Sequence, residues 1–229
     1  MITATSLFIS TAYLVPDVSL QDTRKHRVLR DAISTELTLT VFRNLKYASK
    51  RTPRDRYLSM VYAVVANTGD CRLLTDEGIG TKKFKQITNN HRPSDPLEAM
   101  RIKEWVKRGE ASLGKEDEES PLRVYPGGLS VSRTIGDMSL SKALICTPEV
   151  FQIDLSAEKH MHRFILACNG LWDILSSDQV GELAGRFEVV DGKEHNVSTE
   201  HAVDRIMDRC MQKGGYVDDI TILVIDVAM

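Results

Sequence analysis

The stretch from Arg163 to Ser176, R-F-I-L-A-C-N-G-L-W-D-I-L-S, constrains the fold more than any other part of the chain. Phe164, Ile165, Leu166, Ala167 and Cys168 form an uninterrupted apolar run of strand length, so the segment reads as a buried strand. It stops at Asn169-Gly170, a turn pair, and Leu171-Trp172-Asp173 then opens a helical segment. A strand of this kind must be paired and covered by other elements, and 229 residues with 42% hydrophobic content are enough to build one large domain or two small ones around it. The C-terminal end of a buried strand is a common place for chemistry, and here it carries an amide, Asn169.

Other strands are legible around this one. Thr35, Leu37, Leu39 and Val41 alternate with Glu36, Thr38 and Thr40, the period of two of a half-buried strand. A basic, polar stretch, Lys46 to Arg56, follows as a loop, and Met60 to Ala66 reads as a central strand. Asn67-Thr68-Gly69-Asp70 then turns the chain into Cys71-Arg72-Leu73-Leu74, which predicts a hairpin with Asp70 at its tip. Short strands are expected at 84–88 and from Pro148 to Ile153, and a final buried strand from Ile220 to Val227, entered through the acidic pair Asp218-Asp219.

Helices fall between these strands in separate blocks. Asp95 and Pro96 suit the N-cap and first turn of a helix over 95–108, Glu98 is spaced for a capping box, and Gly109 ends it. A second helix is expected over 177–186 with Ser177 as cap. A third runs over 199–212, where Val203, Ile206, Met207, Cys210 and Met211 form an apolar stripe that ends at Gly214-Gly215. Strands and segregated helices in this order favour an antiparallel, layered α+β fold over a doubly wound parallel sheet. Residues 1–27 have no clear period and suit an edge strand or an extended arm, so the chain divides into an arm over 1–33 and one domain over 34–229.

Composition excludes some functions. A net charge of −2 gives no general reason to expect nucleic acid or acidic membranes as partners, and no run approaches the ~18 apolar residues of a membrane span. Cys71, Cys146, Cys168 and Cys210 are widely spaced and never form C-x-x-C, which favours reduced thiols in an intracellular, cytoplasmic protein. The late basic cluster Arg24-Lys25-His26-Arg27 leaves a mitochondrial destination as the alternative. His160 and His162 make an H-x-H in a polar loop, where solvated histidines are the plainer reading. The run 115–120 reads as a solvated loop, Trp105 and Trp172 as packing residues, and Arg133 and Asp137 as structural groups. No G-x-S-x-G and no P-loop is present.

Several stretches together resemble the metal-dependent type-2C serine/threonine protein phosphatases. V-V-A-N-T-G-D-C-R (64–72) is similar to that family's V-A-N-V-G-D-S-R, and H-R-P-S-D-P-L-E-A-M-R-I (91–102) to its D-H-K-P-x-x-P-x-E-x-x-R-I. G-L-S-V-S-R-T-I-G-D (128–137) resembles L-A-V-S-R-A-x-G-D, and G-G-Y-V-D-D-I-T (214–221) resembles G-S-x-D-N-I-T. L-A-C-N-G-L-W-D differs from the family's L-A-C-D-G-L-W-D at one position, Asn169. The resemblance implies a four-layer α-β-β-α sandwich of two antiparallel sheets flanked by helices. The family's N-terminal R-x-x-M-E-D and D-G-H-G-G motifs are not found before residue 34, so the resemblance implies a sandwich lacking the family's N-terminal strands.

The same resemblance assigns the site. Asp218 stands at the family's C-terminal metal aspartate, Asp70 at a carboxylate that in some members touches a weaker third metal, and Asn169 replaces a metal aspartate. Asp219 replaces the usual asparagine and adds a charge beside Asp218. Two-metal hydrolysis of a phosphate monoester needs several anionic oxygens around Mg²⁺ or Mn²⁺, so no catalytic residue is assigned and no cofactor is expected, with Mg²⁺ or Mn²⁺ the choice if a site is retained. The expectation is a catalytically inactive phosphatase-like domain that serves as a scaffold or protein-binding component of a larger assembly. The alternative is an active Mg²⁺/Mn²⁺-dependent serine/threonine phosphatase with ligands supplied from outside the recognised motifs. Protein partners are expected and a membrane is not. An RNA contact would fall on Lys46, Lys50, Arg51, Arg54 and Arg56, although a solvated loop is the simpler reading of that cluster.

Overall fold

The computed structural model describes residues 7–14, 37–48, 57–77, 83–137, 139–155, 161–215 and 218–227, with side chains from residue 62 onward. Two antiparallel sheets carry the fold. One has five strands: β1 (Leu7–Leu14), β4 (Arg72–Asp76), β5 (Phe84–Gln86), β9 (His162–Ala167) and β12 (Ile220–Val227), in the order β1-β12-β9-β4-β5. The other has three: β2 (Leu37–Ala48), β3 (Tyr57–Thr68) and β8 (Glu149–Asp154), in the order β2-β3-β8. Two small hairpins complete the strands, β6 (Ser112–Gly114) with β7 (Arg123–Tyr125) and β10 (Phe187–Val190) with β11 (Lys193–Asn196).

The apolar run of β12 shows why its sequence is continuous rather than alternating. Ile220, Ile222 and Val224 face a core shared with the helices, while Leu223, Ile225 and Val227 face the other sheet. The strand is thus covered on both sides. β9 divides in the same way, with Ile165 and Ala167 toward the helices and Phe164 and Leu166 toward the second sheet, where they meet Ala63, Val65 and Phe151. The helix-side core is completed by α3 (Ser177–Ala184) and α4 (Thr199–Lys213), through Val180, Ala184, Ala202, Val203, Ile206 and Cys210. β1 extends this sheet by pairing antiparallel with the full length of β12, from Leu7↔Val227 to Leu14↔Ile220.

Helix caps match their sequence signals with small shifts. Ser176, not Ser177, caps α3, in a capping box with Gln179, and Ser198 caps α4. α1 (Pro96–Lys107) is capped by Asp95, which accepts from the N–H of Leu97 and Glu98. Glu98 does not close a capping box, because its side chain turns inward to two arginines. α1 packs through Ile102 on the β6–β7 hairpin and on Ala143 and Leu144. Leu97 and Met100 of this helix are exposed.

The expected hairpin at 67–70 is not one. β3 pairs with β2 and β8, whereas β4 pairs with β9 and β5 in the other sheet. The chain crosses between sheets at Gly69, whose φ of 109° only glycine adopts freely. A turn between two apolar runs reads the same whether the runs pair with each other or with different partners. Lys46 lies inside β2 rather than in a loop, since the strand continues to Ala48. Lys50, Arg51, Arg54 and Arg56 lie outside the described residues. His162 is also corrected: it opens β9 and is buried, while His160 lies outside the described residues. No helix among the described residues is long and apolar enough to cross a membrane.

Candidate active site

The residues singled out at the C-terminal end of β9 converge with the start of β12. At the end of β9 the chain turns into a single helical turn, α2 (Asn169–Trp172), closed by the Asp173 N–H on the Asn169 carbonyl at 2.9 Å. Gly170 is required there, because a Cβ would sit 2.2 Å from the carbonyl oxygen of Asp219. That close approach brings the strand entry 218–219 against α2. The Asn169 amide nitrogen donates to Asp218 Oδ2 at 3.2 Å, and the Asp219 N–H donates to Asp218 Oδ1 at 2.8 Å. Both oxygens of Asp218 therefore accept hydrogen bonds from the chain itself. Asp219 is exposed, and its carbonyl accepts from the Cys168 thiol at 3.1 Å. Burial pushes that thiol up.

Asp70 occupies a second, adjoining cluster. Its carboxylate is 2% exposed, and one oxygen, Oδ2, pairs closely with the Arg92 Nε. The same guanidinium donates through Nη2 to Asp173 Oδ1 at 3.3 Å. Burial disfavours the Arg92 charge, but Asp70 and Asp173 outweigh it and raise the guanidinium above its ordinary value. The other oxygen of Asp70, Oδ1, is buried with no hydrogen-bond partner among the described residues. His91, one residue before Arg92, accepts the Gly69 N–H on Nδ1 at 3.1 Å and fixes the turn that carries Asp70. Burial lowers the His91 imidazole, and the neighbouring Arg133 lowers it further. With Nδ1 as acceptor, the neutral ring carries its proton on Nε2, which faces Glu149 Oε2 at 3.3 Å.

A third cationic group borders this cluster. The Arg72 guanidinium carbon lies 5.3 Å from the centroid of Trp172, and its Nε donates to Asn90 Oδ1 at 3.1 Å. Burial, together with repulsion from Arg92, holds its guanidinium below the usual value. Trp172 is a packing residue, anchored by its indole N–H on the Ala167 carbonyl at 2.9 Å, and Trp105 packs beneath Arg108. Arg133 is structural: its Nε and Nη2 bond Glu98 Oε1 at 2.9 and 2.6 Å. Asp137 adopts φ 52° and its carbonyl accepts the Leu140 N–H at 2.8 Å, which marks a turn.

Of the residues assigned to the site from sequence, the fold unites Asn169, Asp218 and Asp219 in one contact group and places Asp70 in another. Arg92 and Asp173 carry no site signal of their own, although both fall inside family-like motifs; 81 positions separate them, and only the fold joins them. Among the described residues, no group of three or more His, Cys, Asp or Glu side chains is arranged to hold a metal ion. The donor set explains this. A hard divalent cation favours several anionic oxygens, whereas here an amide N–H faces Asp218 and a guanidinium occupies the Asp70–Asp173 pair. The described residues thus do not fit the metal pair of the phosphatases that the sequence resembles.

Comparison with known proteins agrees with the fold. Residues 40–216 match the family described as Protein phosphatase 2C. Probable protein phosphatase 2C 69 of Oryza sativa subsp. japonica is 32% identical over 165 residues, which cover 71% of this chain and 36% of that protein. Probable protein phosphatase 2C 5 of Arabidopsis thaliana is 29% identical over 168 residues, covering 71% and 35%. The chain therefore spans about a third of the length of the curated relatives it matches. Among solved structures, a serine-threonine phosphatase 2C from Toxoplasma gondii aligns with a TM-score of 0.53 at 20% identity, over 74% of this chain and 57% of that one. At that identity the match bears on the fold alone.

Proposed function

This chain belongs to the protein phosphatase 2C family, and from that premise we propose that its domain does not hydrolyse phosphate monoesters and acts as a protein-binding, structural component of a larger assembly. The observation that carries this reading is that the site carboxylates are held by the chain's own donors. Asn169 donates to Asp218, and Arg92 bridges Asp70 and Asp173. Slow phosphate-ester hydrolysis demands a very large barrier reduction, which metal-bound water supplies in two-metal enzymes. A cation approaching Asp70 meets the positive charge of Arg92, and one approaching Asp218 must displace an amide. No cofactor is therefore assigned to the domain.

The rival reading is an active Mg²⁺/Mn²⁺-dependent serine/threonine phosphatase. It draws support from the relatives' names and from the retained carboxylates of Asp218 and Asp70. Turnover of a phosphothreonine peptide with and without Mn²⁺ separates the two. The expected result is no turnover above background and no Mn²⁺-dependent rise in melting temperature. Turnover that disappears in Asp218→Ala would sink the proposal. Asn169→Asp supplies the informative control, since it adds a carboxylate beside Asp218 and is expected to make the melting temperature respond to Mn²⁺. The binding half is tested separately by size-exclusion of the native chain from its own cells, where elution as a monomer counts against it.

A further inference from the structure

Strand register brings two cysteines together at the joint between the two clusters of the site. The β4–β9 ladder runs from Thr75↔Phe164 to Arg72↔Ala167, so the next step along it sets Cys71 opposite Cys168. Hydrogen-bond directions identify the kind of pair. The Leu73 N–H goes to Thr88 Oγ1 at 3.0 Å and its carbonyl accepts from the Ile87 N–H at 2.9 Å, both away from β9. Two residues earlier, the Cys71 carbonyl accepts from the same Thr88 hydroxyl at 3.4 Å. On the other strand, the Cys168 N–H goes to the Thr221 carbonyl at 3.2 Å, toward β12. The Cys71 carbonyl, the Cys168 N–H and the Cys168 carbonyl, which accepts the Leu171 N–H at 3.2 Å, all bond outside the gap. This is the pattern of a non-hydrogen-bonded antiparallel position, where Cα atoms in a regular ladder stand about 4.5 Å apart. That spacing falls within the disulfide range of about 4.4–6.8 Å.

Both residues are thiols and both are half-buried. The Cys168 sulfur is turned toward β12, where it donates to the Asp219 carbonyl at 3.1 Å and accepts from the Thr221 N–H at 3.2 Å. To bond Cys71 it must leave those two partners by rotation about χ1.

We propose that Cys71 and Cys168 form a redox-modification site, in which a peroxide closes a disulfide that staples the Asp70 turn to the start of α2. The Cys71 thiolate attacks a peroxide oxygen, the O–O bond breaks, and the departing hydroxide leaves as water, giving a sulfenic acid. Cys168 then gives up its proton and attacks that sulfur; the S–S bond forms, the S–O bond breaks, and a second water leaves. The two sulfurs together lose two electrons, which the peroxide oxygens take up. In the oxidised chain the Asp219 carbonyl and the Thr221 N–H lose their sulfur partner, so the Asp218–Asp219 entry is released on one side while Asp70 is fixed on the other. This chemistry is independent of whether the site hydrolyses phosphate.

The test is peroxide treatment of the full chain under native conditions, alkylation of remaining thiols, and peptide mapping without reduction. The expected result is a linked pair of peptides holding Cys71 and Cys168, lacking two hydrogens and separated by dithiothreitol. The link persists in a Cys146→Ser, Cys210→Ser chain and is lost in Cys71→Ser, a substitution that places the serine of the resembled family motif at that position. Full alkylation of Cys71 and Cys168 after peroxide treatment overturns the proposal. So does a mixture of pairings that includes Cys146 or Cys210.

Discussion

Two buried carboxylates, Glu98 and Asp70, are each held by arginine, and the contrast between them separates architecture from site. Glu98 is 2% exposed and fully engaged: Oε1 accepts from Arg133 Nε and Nη2, and Oε2 accepts from Arg101 Nη2 at 2.8 Å and from the Ser132 hydroxyl at 2.7 Å. Burial alone would raise this carboxyl, but those donors push it down to about 2. Asp70 is as deeply buried, yet only one of its oxygens has a hydrogen-bond partner among the described residues, and that partner is shared with exposed Asp173. A closed network of this kind fixes α1 against the loop after residue 130 and the edge of β8. The open one leaves an acceptor uncommitted beside a cation. Full satisfaction is what a structural role requires, whereas the second oxygen of Asp70 is open to a further donor.

The largest effect expected from breaking this contrast is at Glu98. Glu98→Gln removes the buried charge between Arg101 and Arg133 and should cost about 3–5 kcal/mol, read as a lower urea midpoint with an unchanged slope. A loss below about 1 kcal/mol would mean that Glu98 is no more structural than Asp70.

Acid titration is the next largest. A carboxyl held at about 2 binds fewer protons folded than unfolded across the interval below its ordinary value, so its contribution is complete at neutral pH. That contribution falls away as pH drops from about 4.5 toward 2 and amounts to at most about 3 kcal/mol. His91 acts in the same direction at higher pH. Its ring is held below the ordinary value, so the unfolded chain takes up the proton first and stability declines as pH falls below about 6.5. Unfolding followed against pH should show both declines in the wild type, and Glu98→Gln should lose the lower one.

Arg92→Met is the smallest expected change in stability. Its guanidinium is about a quarter exposed, and removing it should cost about 1–2 kcal/mol through the carboxylate left behind. The sharper readout is cation sensitivity. With Arg92 gone, Asp70 and Asp173 lose the guanidinium that bridges them and keep only the more distant charge of Arg72, and Mn²⁺ should recover part of the lost melting temperature. No recovery would show that Asp70 has no latent affinity for a divalent ion.

Much of the fold is legible in the sequence because it depends on local pattern. The last strand occupies the apolar run Ile220 to Val227, and α1 starts at the Asp95-Pro96 signal. What is not legible depends on distant partners. Glu98 has capping-box spacing, yet Arg133, 35 positions away, draws it inward. β11 gives no strand signal, because K-E-H-N carries no apolar alternation. In the site, the change at Asn169 is visible from one letter. That its amide turns to Asp218, and that Arg92 bridges Asp70 and Asp173, follows from register and packing rather than from spacing.

The sheet-to-sheet crossing at Gly69 gives the site a mechanical position. Asn67 ends the ladder shared with β8, while Arg72 begins the ladder shared with β9. The few residues between them form a joint clamped by His91 through Gly69 and by Arg92 through Asp70. A ligand, a partner chain or a covalent bond acting on that joint pulls on both layers of the sandwich at once.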